Sequence, residues 1–171
     1  ATSSLSVLGG FAMLLLVPNG PFRKKSQQLQ LKAFLHGFKN KSFRAAAFGY
    51  FGHMWELYAF WAFIPVLLTT YKNLHPVAQF SVPFLSFCII GIGGVSCAIG
   101  GLLSQYVGPK KIATVALSLS CLCCICSPLF LMNDSLTLFL VFLFFWGWFA
   151  TADSPMFSTL VAFNAPEESR G

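Results

Sequence analysis

Charge is what this sequence has least of. Only 9% of its 171 residues are Asp, Glu, Lys or Arg, whereas a soluble domain carries about a quarter. Acids are the scarcest, five in all: Glu56, Asp134, Asp153, Glu167 and Glu168. Residues 22–43 contain none. Such a composition excludes an ordinary soluble domain. Enzyme signatures are missing as well. Neither H-E-x-x-H nor G-x-S-x-G occurs. His53-Met-Trp-Glu56 has only the first part of H-x-x-E-H, with Leu57 where the second His belongs. No motif calls for a cofactor or a metal, and no initiator Met opens the chain.

Apolar residues fill the space that charge leaves. They make up 56% of the chain, with twenty Phe among them, and they fall in blocks long enough to cross a bilayer. The reading is an all-α, polytopic helical membrane protein whose partner is the lipid bilayer. The six cysteines, Cys88, Cys97, Cys121, Cys123, Cys124 and Cys126, all lie in these blocks. There Cys packs as a small hydrophobe, so they read as core-facing rather than as a thiolate metal site.

The formal net charge of +6 does not mark a nucleic-acid footprint, because no aromatic-basic motif accompanies it. Its distribution reports topology instead. Residues 1–17 are apolar but too short for a span and read as the end of a truncated transmembrane helix. Residues 18–43 form a basic connector, and spans follow at about 45–70, 80–104, 112–132 and 136–163. Arg23, Lys24, Lys25, Lys32, Lys39, Lys41, Arg44, Lys110, Lys111 and Arg170 fall on one side, with only Lys72 on the other. By the positive-inside rule the first side is cytoplasmic. The membrane expected is the cell's inner or plasma membrane. The connector segment LQLKAFLHGF has partial helical periodicity and suits a short surface helix, with His36 solvated.

Within the spans, ionisable groups are few enough to single out. On a helix turning about 100° per residue, Ala45, Gly49, Gly52, His53, Glu56, Ala59, Phe60 and Phe63 gather on one side. Tyr50, Met54, Tyr58, Trp61, Pro65 and Leu68 gather opposite. The small residues predict that the His53 side faces the bundle. Glu56 lies roughly 18 Å along the axis from Arg44, well inside the hydrocarbon. A lone carboxylate there must be protonated, paired or hydrated. It marks either a transport path or a buried polar pair that fixes packing.

In the span 80–104, Gly91, Gly94, Ala98 and Gly101 share a stripe that predicts a packing face. In the last span Pro155 removes a backbone hydrogen bond and exposes the Thr151 carbonyl, predicting a kink. Trp146, Phe149, Ala150, Asp153 and Phe157 share a face. Asp153, roughly 16 Å by helical rise from Asn164, reaches a depth comparable with Glu56. Asp153-Ser154 either satisfies the broken backbone or serves transport.

The span 80–104 runs into GGLLSQYVGPKK. Gly101-x-Leu103-Ser104-x-x-x-Gly108-x-Lys110-Lys111 resembles the loop motif G-x-L-A-D-R-x-G-R-K of the major facilitator superfamily, which joins the second and third spans of each six-helix half. GHMWELYAFW and ADSPMFS also resemble segments of bacterial-type members, and the resemblance covers nearly the whole chain. It implies a partial C-terminal half of a twelve-helix fold, from the end of the sixth helix through the tenth, with the N-terminal half of the same chain as a partner. Residues 18–43 become the central cytoplasmic loop. Gly108 would allow the tight turn, and the lysines would cap it. Gln105 stands where the family has an acid, so a hinge or packing role is implied here rather than a charge relay.

The functional expectation is a secondary active transporter of a small solute working by alternating access. Glu56 would exchange a proton with His53 modulating it, and Asp153 would bind substrate or couple charge, in symport or antiport. The alternative is a non-transporting receptor or scaffold on the same helices.

Overall fold

The computed structural model describes residues 2–17 and 38–165. The expectations for Arg23, Lys24, Lys25, Lys32, the helix around His36, and Arg170 lie outside these residues. The chain divides into two units, residues 1–31 with 171, and residues 32–170. In the first, helix α1 spans Thr2–Leu16, fifteen largely apolar residues.

The second unit is a bundle of α2 (Lys41–Leu74), α3 (Val82–Val107), α4 (Pro109–Leu131), α5 (Leu136–Ala152) and α6 (Ser154–Asn164). Counting α5 and α6 as one interrupted rod, it holds four helices long and apolar enough to cross a membrane. No strand occurs among the described residues. α2 begins inside the basic connector because Asn40 caps it. The Asn40 side chain accepts from the Ser42 N–H at 2.9 Å and the Phe43 N–H at 3.4 Å, satisfying donors that the first turn leaves open. Ser135 caps α5 in the same way, accepting from the Leu138 N–H at 3.4 Å.

Gly108 joins α3 to α4 at φ 92° and ψ 142°, a region closed to side-chain-bearing residues. Its N–H closes α3 on the Ser104 carbonyl at 2.9 Å, and Pro109 opens α4 directly. This explains why the loop motif needs glycine there. Lys110 and Lys111 are exposed beside it, as are Leu103 and Gln105.

The core forms where α2, α3, α4 and α5 meet, around Phe60, Ile64, Ile89, Phe139, Leu143 and Trp146. At the end away from Gly108, the Tyr71 ring stacks on Phe139 with centroids 4.1 Å apart. Its hydroxyl donates to the Asn133 carbonyl at 3.0 Å.

Two helix faces differ from expectation. On α2, His53 and Phe60 are buried as predicted, but Ala45, Gly52 and Phe63 are exposed, while Leu68, predicted opposite, is fully buried. The buried arc is Phe43, Ala47, His53, Leu57, Phe60, Ile64, Leu68 and Tyr71. Bulky side chains dominate it, with Ala47 among them. On α3, the stripe Gly91, Gly94, Ala98 and Gly101 is not the packing face within this chain. A Cβ at Gly91, Gly94 or Gly101 would meet nothing within 4 Å, and Ala98 is exposed. The close approach is made by Gly93 and Gly100 instead. A Cβ at Gly93 would lie 2.8 Å from the Thr151 side chain, and one at Gly100 would lie 2.7 Å from the Ala152 carbonyl oxygen.

The cysteines are also less uniform than expected. Cys123 is buried, Cys88, Cys97 and Cys126 are half-buried, and Cys121 and Cys124 are exposed, all as free thiols.

Candidate functional site

The site begins at a break in the last rod. Pro155 has no N–H to offer the Thr151 carbonyl, so the helix stops at Ala152 and resumes at Ser154. Asp153, at φ −91° and ψ −8°, sits in the gap. The carbonyl that the proline releases is taken up by α3, where the Cys97 thiol donates to the Thr151 carbonyl oxygen at 3.1 Å. The Thr151 hydroxyl donates to the Gly147 carbonyl at 2.7 Å and lies 2.9 Å from Ser96 Oγ. Gly93 and Gly100 let α3 approach closely enough for these contacts. The side chains of Asp153 and Ser154 are therefore not consumed in mending the backbone.

Both turn to His53 instead. His53 Nδ1 lies 3.0 Å from Asp153 Oδ1, and His53 Nε2 lies 2.8 Å from Ser154 Oγ. His53 and Asp153 are each about 1% exposed. One imidazole thus holds the residue in the gap and the first residue beyond it. Nδ1 and Oδ1 are close but make no hydrogen bond with good geometry, so proximity of the two buried groups, not an aligned hydrogen bond, joins them, whereas Nε2 and the serine hydroxyl are within hydrogen-bond reach. The Phe157 ring stacks on the imidazole with centroids 5.4 Å apart. Gly49, one turn before His53, makes room for that ring, since a Cβ there would lie 2.7 Å from it.

Glu56 is one turn further along α2 and points elsewhere. It is half-buried, and its Oε1 accepts a hydrogen bond from the hydroxyl of Ser120 on α4. Ser120 is fully buried and accepts in turn from Trp146 Nε1 on α5 at 3.1 Å. The three ionisable residues predicted for the site thus fall into two separate arrangements. His53 pairs with Asp153, while Glu56 belongs to Ser120 and Trp146. No Lys or Arg occurs between Arg44 and Lys72 or between residues 112 and 165, so no fixed cation of these segments neutralises either carboxylate.

Sequence reasoning did not single out Ser154, Ser120, Cys97 or Phe157 as partners of these groups. A serine or cysteine in an apolar helix carries no signal of its partner. The signal that existed was the shared face of Trp146, Ala150, Asp153 and Phe157, all of which are buried.

The fold and site define a class: a polytopic α-helical membrane protein with ionisable side chains held between its helices. The family follows from comparison. The family model described as Major Facilitator Superfamily matches residues 1–171, and the chain belongs to that superfamily. No curated protein and no solved structure matches the chain. Membership makes it part of a membrane transporter of small solutes.

Proposed function

We propose that this chain carries the proton-coupling machinery of a secondary transporter that moves a small solute by alternating access. Glu56 takes up and releases the proton, and the His53–Asp153 pair modulates it from the next turn. The observation that carries the reading is the placement of three ionisable side chains inside the bundle, His53 against Asp153 and Glu56 one turn away on Ser120, in spans without a lysine or arginine to neutralise them. Buried ionisable groups within a bilayer are expensive, and function is the usual reason for them. On this reading the bundle supplies helices seven to ten of twelve, in the inner or plasma membrane, with the Gly108 turn in the cytoplasm. Rocking against the other half opens the site alternately to each side.

The test is uptake into vesicles bearing the complete protein, driven by an imposed pH gradient, with substrates drawn from a screen of small solutes. Glu56→Gln is expected to abolish gradient-driven accumulation while sparing exchange of substrate down its own gradient. Undiminished accumulation in that variant would sink the proposal.

The complete burial of His53 and Asp153 favours a second reading for that pair alone, as a clamp on the broken helix that takes no part in coupling. Under it, Asp153→Asn lowers stability without altering the ratio of protons to solute.

A further inference from the structure

We infer that Ser120 is a positioning residue for Glu56, holding one carboxyl oxygen as a permanent acceptor and thereby setting the pH at which the side chain exchanges a proton. The inference rests on the reading of Glu56 as the proton carrier. Its argument is the direction of a hydrogen-bond chain. Indole nitrogen is a donor only, so Ser120 Oγ, 3.1 Å from Trp146 Nε1, must accept from it. The single hydroxyl hydrogen is then left for Glu56 Oε1. The chain runs one way across three helices, from indole N–H to hydroxyl to carboxyl oxygen.

Burial keeps that direction in place. Ser120 is fully buried and Trp146 is 8% exposed, so water does not readily supply either group with a replacement partner. An oxygen already receiving a hydrogen bond is a poor place for an acidic proton, so protonation falls to Oε2. A hydrogen bond donated to the charged form of a carboxyl favours that form. The other titratable groups facing Glu56 are His53 on its own helix, Asp153 at the α5–α6 break and Cys123 on α4. None of these donates a hydrogen bond to it. Ser120 is the donor that α4 supplies, and Trp146 is the reason it donates.

The proton itself is the probe, so no substrate is needed. The complete protein in phosphatidylcholine vesicles is titrated while its carboxylic C=O stretching bands are followed by infrared difference spectroscopy. The band lost in Glu56→Gln reports Glu56. Ser120→Ala is expected to move the midpoint of that band to higher pH by about one unit, the equivalent of one hydrogen bond to a charged group. Trp146→Phe removes the N–H donor together with part of the ring system, and leaves an aromatic ring near Phe60 and Phe142. It is expected to shift the midpoint in the same direction by less, and it decides the matter if Ser120→Ala does not fold. Unmoved midpoints overturn the inference and leave Glu56 as proton carrier intact. A spectrum in which Glu56→Gln removes no titrating band overturns the parent reading and this one with it.

Discussion

His53 and Asp153 face each other across the bundle with 3.0 Å between Nδ1 and Oδ1, and each is sealed from its surroundings. The contact exists because Pro155 opened a gap in the last rod and Cys97 took the released carbonyl. Removing either member leaves the other buried and unpaired, which is costlier than never having had the pair. A double-mutant cycle of His53→Ala and Asp153→Ala is therefore predicted to show a coupling energy above about 1 kcal/mol in thermal unfolding of the complete protein. The same cycle run on His53 and Glu56 should give a smaller value, since no hydrogen bond or ion-pair contact joins them. Equal couplings would contradict the assigned pairing.

Much of this site was legible in the sequence because ionisable residues are rare in apolar helices, so His53, Glu56 and Asp153 stood out without a structure. Their partnership was not legible. Periodicity on one helix ranks its faces but says nothing of which neighbour meets them, and here the partner lies on a rod far along the chain. The difference on α3 within this chain has a related cause. Gly91, Gly93, Gly94, Ser96, Cys97, Ala98, Gly100 and Gly101 surround the helix with small side chains, so size alone could not choose a face. The choice was made by what α5 offers, a buried Thr151 side chain and the carbonyl of a broken helix. Gly108 was the easier case, because a turn between two long helices with Gly-Pro at its centre has few solutions.

The glycines of α3 separate the two faces experimentally. At Gly100 an added methyl meets a backbone oxygen at 2.7 Å, and at Gly93 it meets a threonine already tied by hydrogen bonds. Neither neighbour can yield cheaply. Gly93→Ala and Gly100→Ala are predicted to destabilise the complete protein by about 1–3 kcal/mol. Gly91→Ala, with open space around it in this chain, should stay within about 0.5 kcal/mol of wild type. Differential scanning in detergent distinguishes the two outcomes, and equal effects at Gly91 and Gly100 would refute the packing face.

Gly108 makes a conformational prediction independent of packing. A Cβ added there would meet nothing within 4 Å, yet φ 92° with ψ 142° is strained for any L side chain. Gly108→Ala is expected to cost about 1–3 kcal/mol through backbone strain alone. Thermal unfolding within about 0.5 kcal/mol of wild type would show that the turn relaxes into another geometry.

At the far end of the bundle, two polar contacts of different worth sit side by side. Tyr71 is fully buried and its hydroxyl donates to the Asn133 carbonyl, whereas Asp134, 3.5 Å from His75 Nδ1, is wholly exposed. Tyr71→Phe keeps the stacking on Phe139 but strands a carbonyl, and it is predicted to cost about 1 kcal/mol. Asp134→Asn should change stability less than Tyr71→Phe does, since exposed ion pairs contribute little. Unfolding midpoints of the two variants check the contrast, and the reverse order would be incompatible with the contacts described.

Pro155 provides the sharpest separation of stability from function. Pro155→Ala restores an N–H that can bond to the Thr151 carbonyl, the acceptor now occupied by the Cys97 thiol. The rod can then run unbroken through Asp153. A continuous helix has different directions for the side chains at 153 and 154, which pulls both away from the His53 ring. The folded state gains a backbone hydrogen bond and loses the polar contacts at His53, so its stability should change by no more than about 1 kcal/mol. Gradient-driven uptake, if it depends on Asp153 being held at His53, should fall by about tenfold, the equivalent of roughly 1.4 kcal/mol. Parallel measurement of unfolding and of uptake in vesicles checks both halves. Wild-type uptake in a stable Pro155→Ala protein would show that transport does not depend on the break.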